Sequence, residues 1–350
     1  MKRRLLPALV ACAAVAPPLL AQDDEDAPTA QPVAYAAPES PAFTFLSASP
    51  AKVSRPNSLR DFVFSLISGV NADGNAQQGF AFEVAPWYFI PGVAISLDAY
   101  QNNWPSFVFA NTQVSLGTVR VSGDDADTDA SFGLRIGLFD QGDPMRNLEF
   151  TSALGQAMLD ECAPDMPGED TDPACPGLVV ADLLDEWNDE HWNARRVTLA
   201  FATGTRLRAS DFNEREALGF RTWLVGTNPI GGDGQFLGQI EYSHRPTIEG
   251  AASLSKVAYG FRILIGSSVF NAFGELMGET SFDTSDDSDE TSGLWSVGAE
   301  FKVFEGLWVS TGIGSRFASL AEPERAVVVA NLRWGMTSGA RLTSLRQPRN

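Results

Sequence analysis

Apolar and polar residues alternate with a period of two along most of the chain. In residues 296–314, Val297 and Phe301 fall on one side of an extended chain, and Ser296 and Glu300 fall on the other. Successive side chains of a β-strand point to opposite faces. The pattern therefore predicts strands that have one apolar and one polar face.

Similar segments recur from about residue 57 to residue 336, and each is bounded by turn or loop residues. We predict twelve strands, at 60–70, 79–89, 107–121, 130–140, 194–208, 217–227, 235–244, 256–267, 269–282, 293–303, 306–317 and 325–336. Short turns, such as Glu305-Gly306, alternate with longer polar loops, such as 283–292. This alternation is typical of up-and-down barrels in outer membranes, where one side has turns and the other has loops.

Alternation alone is also compatible with a soluble β-sandwich, but two further features favour a membrane barrel. The predicted strands are about 10–14 residues long, whereas soluble strands average about 5–6. Charged side chains occur within the strands on the face opposite the apolar one, and a polar lumen would accommodate them. The predicted lumen-facing residues are Arg135, Arg221, Glu241, Arg262, Glu275, Glu279, Glu300, Lys302, Arg316 and Arg333.

Over residues 57–336 the chain resembles bacterial outer-membrane β-barrel proteins of the porin-like type. The resemblance implies an all-β fold: a closed antiparallel transmembrane barrel of about 12 strands whose apolar face contacts outer-membrane lipid. An even number of strands places both termini in the periplasm. The chain departs from the common pattern because Trp334 is followed by a polar C-terminal tail, residues 337–350.

The N-terminal residues have a different composition. Residues 1–21 combine a basic start with an apolar run, as in a secretory signal peptide. An alternative is lipidation at Cys12, because Leu9-Val10-Ala11-Cys12 resembles a lipobox. Residues 22–56 are rich in Ala, Pro, Asp and Glu and lack periodicity, which predicts a flexible tail.

One connection, residues 141–193, is far longer than the others and falls on the predicted periplasmic side. It predicts a partly helical insertion with helices near 146–161 and 178–190. Between them lie Cys162 and Cys175, which in an exported protein predict a disulfide.

Composition and residue types exclude several functions. The formal net charge of −19 argues against a nucleic-acid partner. The two histidines are His191 and His244. His244 follows Ser243, and adjacent strand residues point to opposite faces, so these two cannot act as base and nucleophile. No cluster has metal-ligand spacing. We therefore expect no enzymatic activity, cofactor or metal.

Three functions remain. The leading hypothesis is a passive channel or porin-like transporter of small polar solutes, because the inner positions carry both signs of charge. The alternative is a non-conducting structural or assembly-associated barrel, closed by its own side chains or by the insertion 141–193. The third is a soluble exported β-sandwich that binds a ligand. The sequence does not decide between the first two.

Overall fold

The structure, a computed structural model, describes residues 35–47, 79–90, 95–121, 127–162, 175–246, 253–283, 290–304, 307–319 and 322–334. All of them belong to one compact unit. Among these residues, no helix has both the length and the apolar character needed to cross a membrane.

Eleven strands form one antiparallel sheet in which each strand pairs with its neighbours in sequence. The strands are β1 (Ala81–Val84), β2 (Thr112–Arg120), β3 (Thr128–Asp140), β4 (Arg196–Leu207), β5 (Arg215–Pro229), β6 (Gly234–Arg245), β7 (Leu254–Gly266), β8 (Phe270–Asp283), β9 (Glu290–Phe304), β10 (Leu307–Ser319) and β11 (Glu322–Trp334). This confirms the predicted all-β antiparallel class. Within the described ranges β1 pairs only with β2, and β11 only with β10, so closure of the sheet into a barrel stays a prediction.

The helices are short or lie in connections. They are α1 (Pro41–Phe45), α2 (Leu97–Asn102), α3 (Trp104–Ala110), α4 (Leu148–Cys162) and α5 (Cys175–Glu190), with 3-10 turns at Pro86–Phe89, Pro144–Arg146 and Arg208–Ser210. The last two α-helices match the two helices predicted in the insertion 141–193.

Eleven of the twelve predicted strands overlap an observed strand, and the first, 60–70, lies outside the described residues. Two predicted strands were too long. Residues 107–110 belong to α3, which begins after Asn103, whose side chain accepts a hydrogen bond from the Ser106 N–H. In the predicted strand 79–89, a 3-10 turn begins at Pro86. Proline has no N–H for strand pairing and favours the first turn of a helix.

The register defines two faces of the sheet. One row across β2–β6 consists of Ser115, Gly133, Ala202, Arg221 and Ser243. We call the face that carries this row the inner face and the opposite one the outer face.

The outer face carries large apolar side chains that are exposed. On β5 to β10, every exposed large apolar side chain of the described residues lies on this face: Leu224, Ile240, Tyr242, Phe261, Ile263, Ile265, Phe270, Leu276, Phe282, Trp295, Val297, Phe301, Val303 and Ile313. The buried apolar clusters lie on the inner face instead, against residues 35–47.

Candidate functional site

The candidate site is the inner face together with residues 35–47, which we call the inner segment. The sequence predicted a flexible tail for 22–56, but residues 35–47 of that tail are ordered against the sheet. Pro41 stands at the start of α1, a position that suits its fixed φ. Ala42 and Phe43 are buried in a cluster with Ala81 of β1. The inner segment is therefore part of the packed structure.

Three strand glycines allow the inner segment to lie directly on the sheet. A Cβ at Gly133 would overlap the backbone nitrogen of Ala42, whereas at Gly117 and Gly204 it would overlap the rings of Phe43 and Phe45. Glycine within a strand often marks a place where another backbone approaches closely. Gly117, Gly133 and Gly204 on β2, β3 and β4 form what we call the glycine track.

Two polar contacts hold the middle of the inner segment. The Ser40 hydroxyl donates a hydrogen bond of 3.0 Å to Glu83 Oε1 on β1. The backbone N–H of Ala42 donates one of 3.1 Å to Ser115 Oγ on β2, and this bond is buried. Both contacts fix α1 at the β1–β2 side of the inner face.

The N-terminal end of the inner segment reaches the other half of the sheet. Ala37 packs against Trp223 and its neighbours on β4 and β5. Burial raises the pKa of the Tyr35 phenol, and the nearby carboxylate of Glu275 on β8 raises it further, whereas Arg262 lowers it. The phenol therefore stays neutral in this environment, since the charged form is disfavoured by both burial and the carboxylate.

These contacts require the sheet to curve around the inner segment. Ser40 contacts β1, whereas Tyr35 lies beside Glu275 of β8. Seven strand spacings of about 4.8 Å would separate these strands by about 34 Å in a flat sheet. Five residues span at most about 18 Å, and the strand side chains of Glu83 and Glu275 stand roughly perpendicular to the sheet and add little to this reach. The inner face is therefore concave.

Seven of the predicted lumen-facing residues have contacts on the inner face. Arg221 lies 3.9 Å from Glu241, Lys256 lies 2.7 Å from Glu279, and Arg262 lies 2.5 Å from Glu300. Glu275 accepts a hydrogen bond of 3.2 Å from Ser296, and Arg135 donates one of 3.2 Å to Gln113. The register also places Lys302 on this face, and the side chains of the other two predicted residues, Arg316 and Arg333, lie outside the described ones. The structure thus brings the predicted polar positions together as pairs.

The Arg262–Glu300 pair is the most enclosed of these ion pairs. The side chains are 11% and 4% exposed, and the pair joins β7 to β9 across β8. The guanidinium also lies over the ring of Phe273, 4.1 Å from its centroid. A charge with so little access to water depends on its partner for stabilisation.

Some inner-face residues were not singled out from the sequence. Arg206 makes two contacts with Asp129, at 2.8 Å and 3.1 Å. Gln239 Oε1 and Asn271 Oδ1 are buried and accept no hydrogen bond within the described residues. The period-two pattern puts Arg206, Gln239 and Asn271 on the polar side of their strands. This position was the sequence signal by which they could have been identified as inner-face residues.

The histidines of the chain have structural partners. His244 Nδ1 lies 3.0 Å from the hydroxyl of Ser255, its neighbour across β6 and β7. Sequence reasoning missed this serine, because the contact depends on the register between strands. No described carboxylate contacts His244, although a catalytic histidine is ordinarily oriented by a third group.

A cleft of about 340 Å³ lies where the inner segment ends, and its lining includes Ser47, Arg206, Arg221 and His244. In the described part of the chain, no group of acidic, histidine or cysteine side chains has an arrangement that could hold a metal ion.

The insertion 141–193 forms a helical hairpin around Trp187. The indole N–H donates a hydrogen bond of 3.0 Å to the Gly142 carbonyl, and the ring packs against Phe150 and stacks on His191. Cys162 is disulfide-bonded, with Cys175 as the partner predicted from sequence. The hairpin follows β3 and precedes β4, at the sheet end that also carries the short β7–β8 turn.

Trp187→Ala should loosen this hairpin. Removing a buried aromatic side chain costs about 3–5 kcal/mol, and here it also leaves the Gly142 carbonyl without its donor. Amide hydrogens of α5 should therefore exchange at least about 100-fold faster, since about 1.4 kcal/mol corresponds to a factor of ten. Leu159→Ala is the control, because Leu159 is 66% exposed. Equal exchange in the two variants would show that Trp187 does not hold the hairpin.

Comparison with known proteins finds no matching family, no similar curated protein and no similar solved structure.

Proposed function

We propose that the protein is a β-barrel of the bacterial outer membrane whose interior is closed in the state described here. The observation that carries the proposal is the band of exposed large apolar side chains on the outer face of β5 to β10, opposite a face of ion pairs. Soluble proteins rarely expose apolar patches of this extent. A bilayer stabilises such a surface.

The length of the strands supports the same proposal. A bilayer is crossed by about 9–11 residues of a tilted strand. β5 has 15 residues, β7 has 13 and β8 has 14, so each is long enough. The soluble β-sandwich is less well supported, because its apolar faces would be turned toward each other and away from solvent.

A lipid environment also requires every strand edge to be paired. We propose that the predicted strand at 60–70 lies between β1 and β11 and closes the barrel as its twelfth strand. Both termini would then lie on the periplasmic side, together with the hairpin 141–193, and the longer loops would face outward.

Of the two membrane functions, the geometry favours the non-conducting barrel for this state. The inner segment crosses the concave face from β8 to β1, and side chains of both signs pair beside it. An open porin needs a continuous water-filled lumen. The polar character of the inner face nevertheless favours a channel function in a second state of the molecule.

The test of the membrane assignment is fractionation of cells that express the full chain. We expect the protein to remain with outer membranes after washing with urea or carbonate, and to dissolve only in detergent. In SDS it should migrate faster before boiling than after, as a folded barrel does. Recovery in the soluble periplasmic fraction would refute the proposal.

A further inference from the structure

We propose that the inner segment, residues 35–47, is a displaceable gate whose release opens a path for small ions along the inner face. The proposal rests on the barrel proposed above and adds its regulation. It assigns the two predicted functions, closed barrel and channel, to two states of one molecule.

The inner segment is not part of the sheet. Its described backbone hydrogen bonds are internal: Phe43 N and Thr44 N donate to Ser40 O, and Leu46 N donates to Ala42 O. The bond from Ala42 N to Ser115 ends on a side chain. The segment can therefore leave without breaking any pairing between strands. A strand of the sheet could not leave in this way, because its departure would expose unpaired backbone groups to lipid.

The inner face is shaped for this segment. Gly133 and Gly204, with Ala200 and Ala202 beside them, leave room for about one turn of helix. Larger inner-face side chains at these positions would fill the space and would make a segment unnecessary. The close fit of α1 over the glycine track therefore indicates a docking site for these residues.

Departure of the segment would uncover polar and charged groups. The exposed inner face then carries Glu83 and Ser115, which the segment covers, together with the pairs formed by Arg206 and by Arg221. Polar and charged groups accept water readily, and pairs of opposite sign favour neither cations nor anions strongly. The path therefore suits small inorganic ions of either sign.

The main experiment replaces residues 35–47 by a glycine-serine linker of equal length in the full chain. The parent protein should be silent in planar bilayers with KCl, whereas the variant should show channel openings. A synthetic peptide of residues 35–47 should block these openings when added, since it restores the contacts with the glycine track. A peptide with Ala42→Trp should fail, because Ala42 is fully buried in its cluster with Ala81 and leaves no room for a larger side chain.

A single substitution tests the same gate if the linker variant does not assemble. Gly133→Val places a side chain where the Ala42 backbone lies, which should displace α1 and produce openings. Valine is favourable in strands, and the Ser115 hydroxyl that also lies close to this position can rotate away, so the sheet itself should tolerate the change. Gly274→Val is the matched control. Gly274 lies on the outer face of β8, where an added Cβ meets nothing within 4 Å, so this variant should stay silent.

The outcomes separate the two proposals. A linker variant that is still heat-modifiable but silent, together with a silent Gly133→Val protein, would overturn the gate and leave the inner segment as a permanent filler. Openings with a reversal potential far from zero in a KCl gradient would show that the path prefers ions of one sign, which contradicts this part of the proposal. Failure of the parent protein to enter membranes would instead overturn the barrel.

Discussion

Glu300→Gln should destabilise the folded protein by about 3–5 kcal/mol, the cost of breaking a buried ion pair by removing one partner. The Glu300 side chain is 4% exposed, and its carboxylate lies 2.5 Å from the Arg262 guanidinium. The amide keeps the shape of the side chain but removes its charge. The guanidinium then stays buried over Phe273, and the carboxylate that remains near it is that of Glu275, its neighbour across β7 and β8, so the loss should fall at the lower end of this range.

The measurement is the free energy of unfolding from urea titration of the protein in lipid vesicles. Glu279→Gln is the matched control, because Glu279 pairs with Lys256 on the same face but both side chains are well exposed, at 44% and 37%. Exposed pairs contribute about 0–1 kcal/mol, so this variant should unfold almost as the parent does. Similar losses in the two variants would mean that Arg262 is not enclosed as the structure has it.

The sheet could be predicted from the sequence because the period of two is a local property. On β7, Tyr259, Phe261 and Ile263 alternate with Gly260 and Arg262, and the structure puts the two sets on opposite faces. The ion pairs were predictable only as positions on one face. Arg262 and Glu300 are 38 residues apart and meet across β8, so their pairing depends on two registers that no local pattern contains.

The inner segment was missed for a physical reason. Its residues have the Ala- and Pro-rich composition of a flexible tail, and its order comes from contacts with distant strands. A signal was nevertheless present, because glycine occupies inner-face positions on three consecutive strands, at Gly117, Gly133 and Gly204. Glycines at such positions indicate that something approaches the sheet closely. They do not say which part of the chain it is.

The sequence contains a start signal for helix α3, but the apolar residues that follow it led to the prediction of a strand. Asn103 followed by Trp104 and Pro105 is a favourable helix start, since asparagine caps the first turn and proline is tolerated there. The following residues, from Phe107 to Ala110, are apolar and fit a strand as well as one helical turn. The cap residues decide between the two structures.

Ile263→Arg should cost about 2–4 kcal/mol if Ile263 lies near the middle of the bilayer, which is the penalty for arginine on the lipid face of a barrel. Ile263 is 45% exposed on the outer face, and its neighbours across the strands are Phe236 and Gly274. The free energy of folding into lipid vesicles, obtained from urea titration, measures the penalty directly.

Phe212→Arg is the control that separates the bilayer from simple exposure. Phe212 is 48% exposed, close to the value for Ile263, but it lies in the connection between β4 and β5 and outside the proposed membrane band. Arginine there meets water or lipid headgroups, so the folding free energy should change by about 0.5 kcal/mol or less, as is usual for surface substitutions. A soluble sheet would tolerate both substitutions equally, because both side chains would face water. A penalty at Ile263 alone is therefore the result that only a lipid-facing sheet produces.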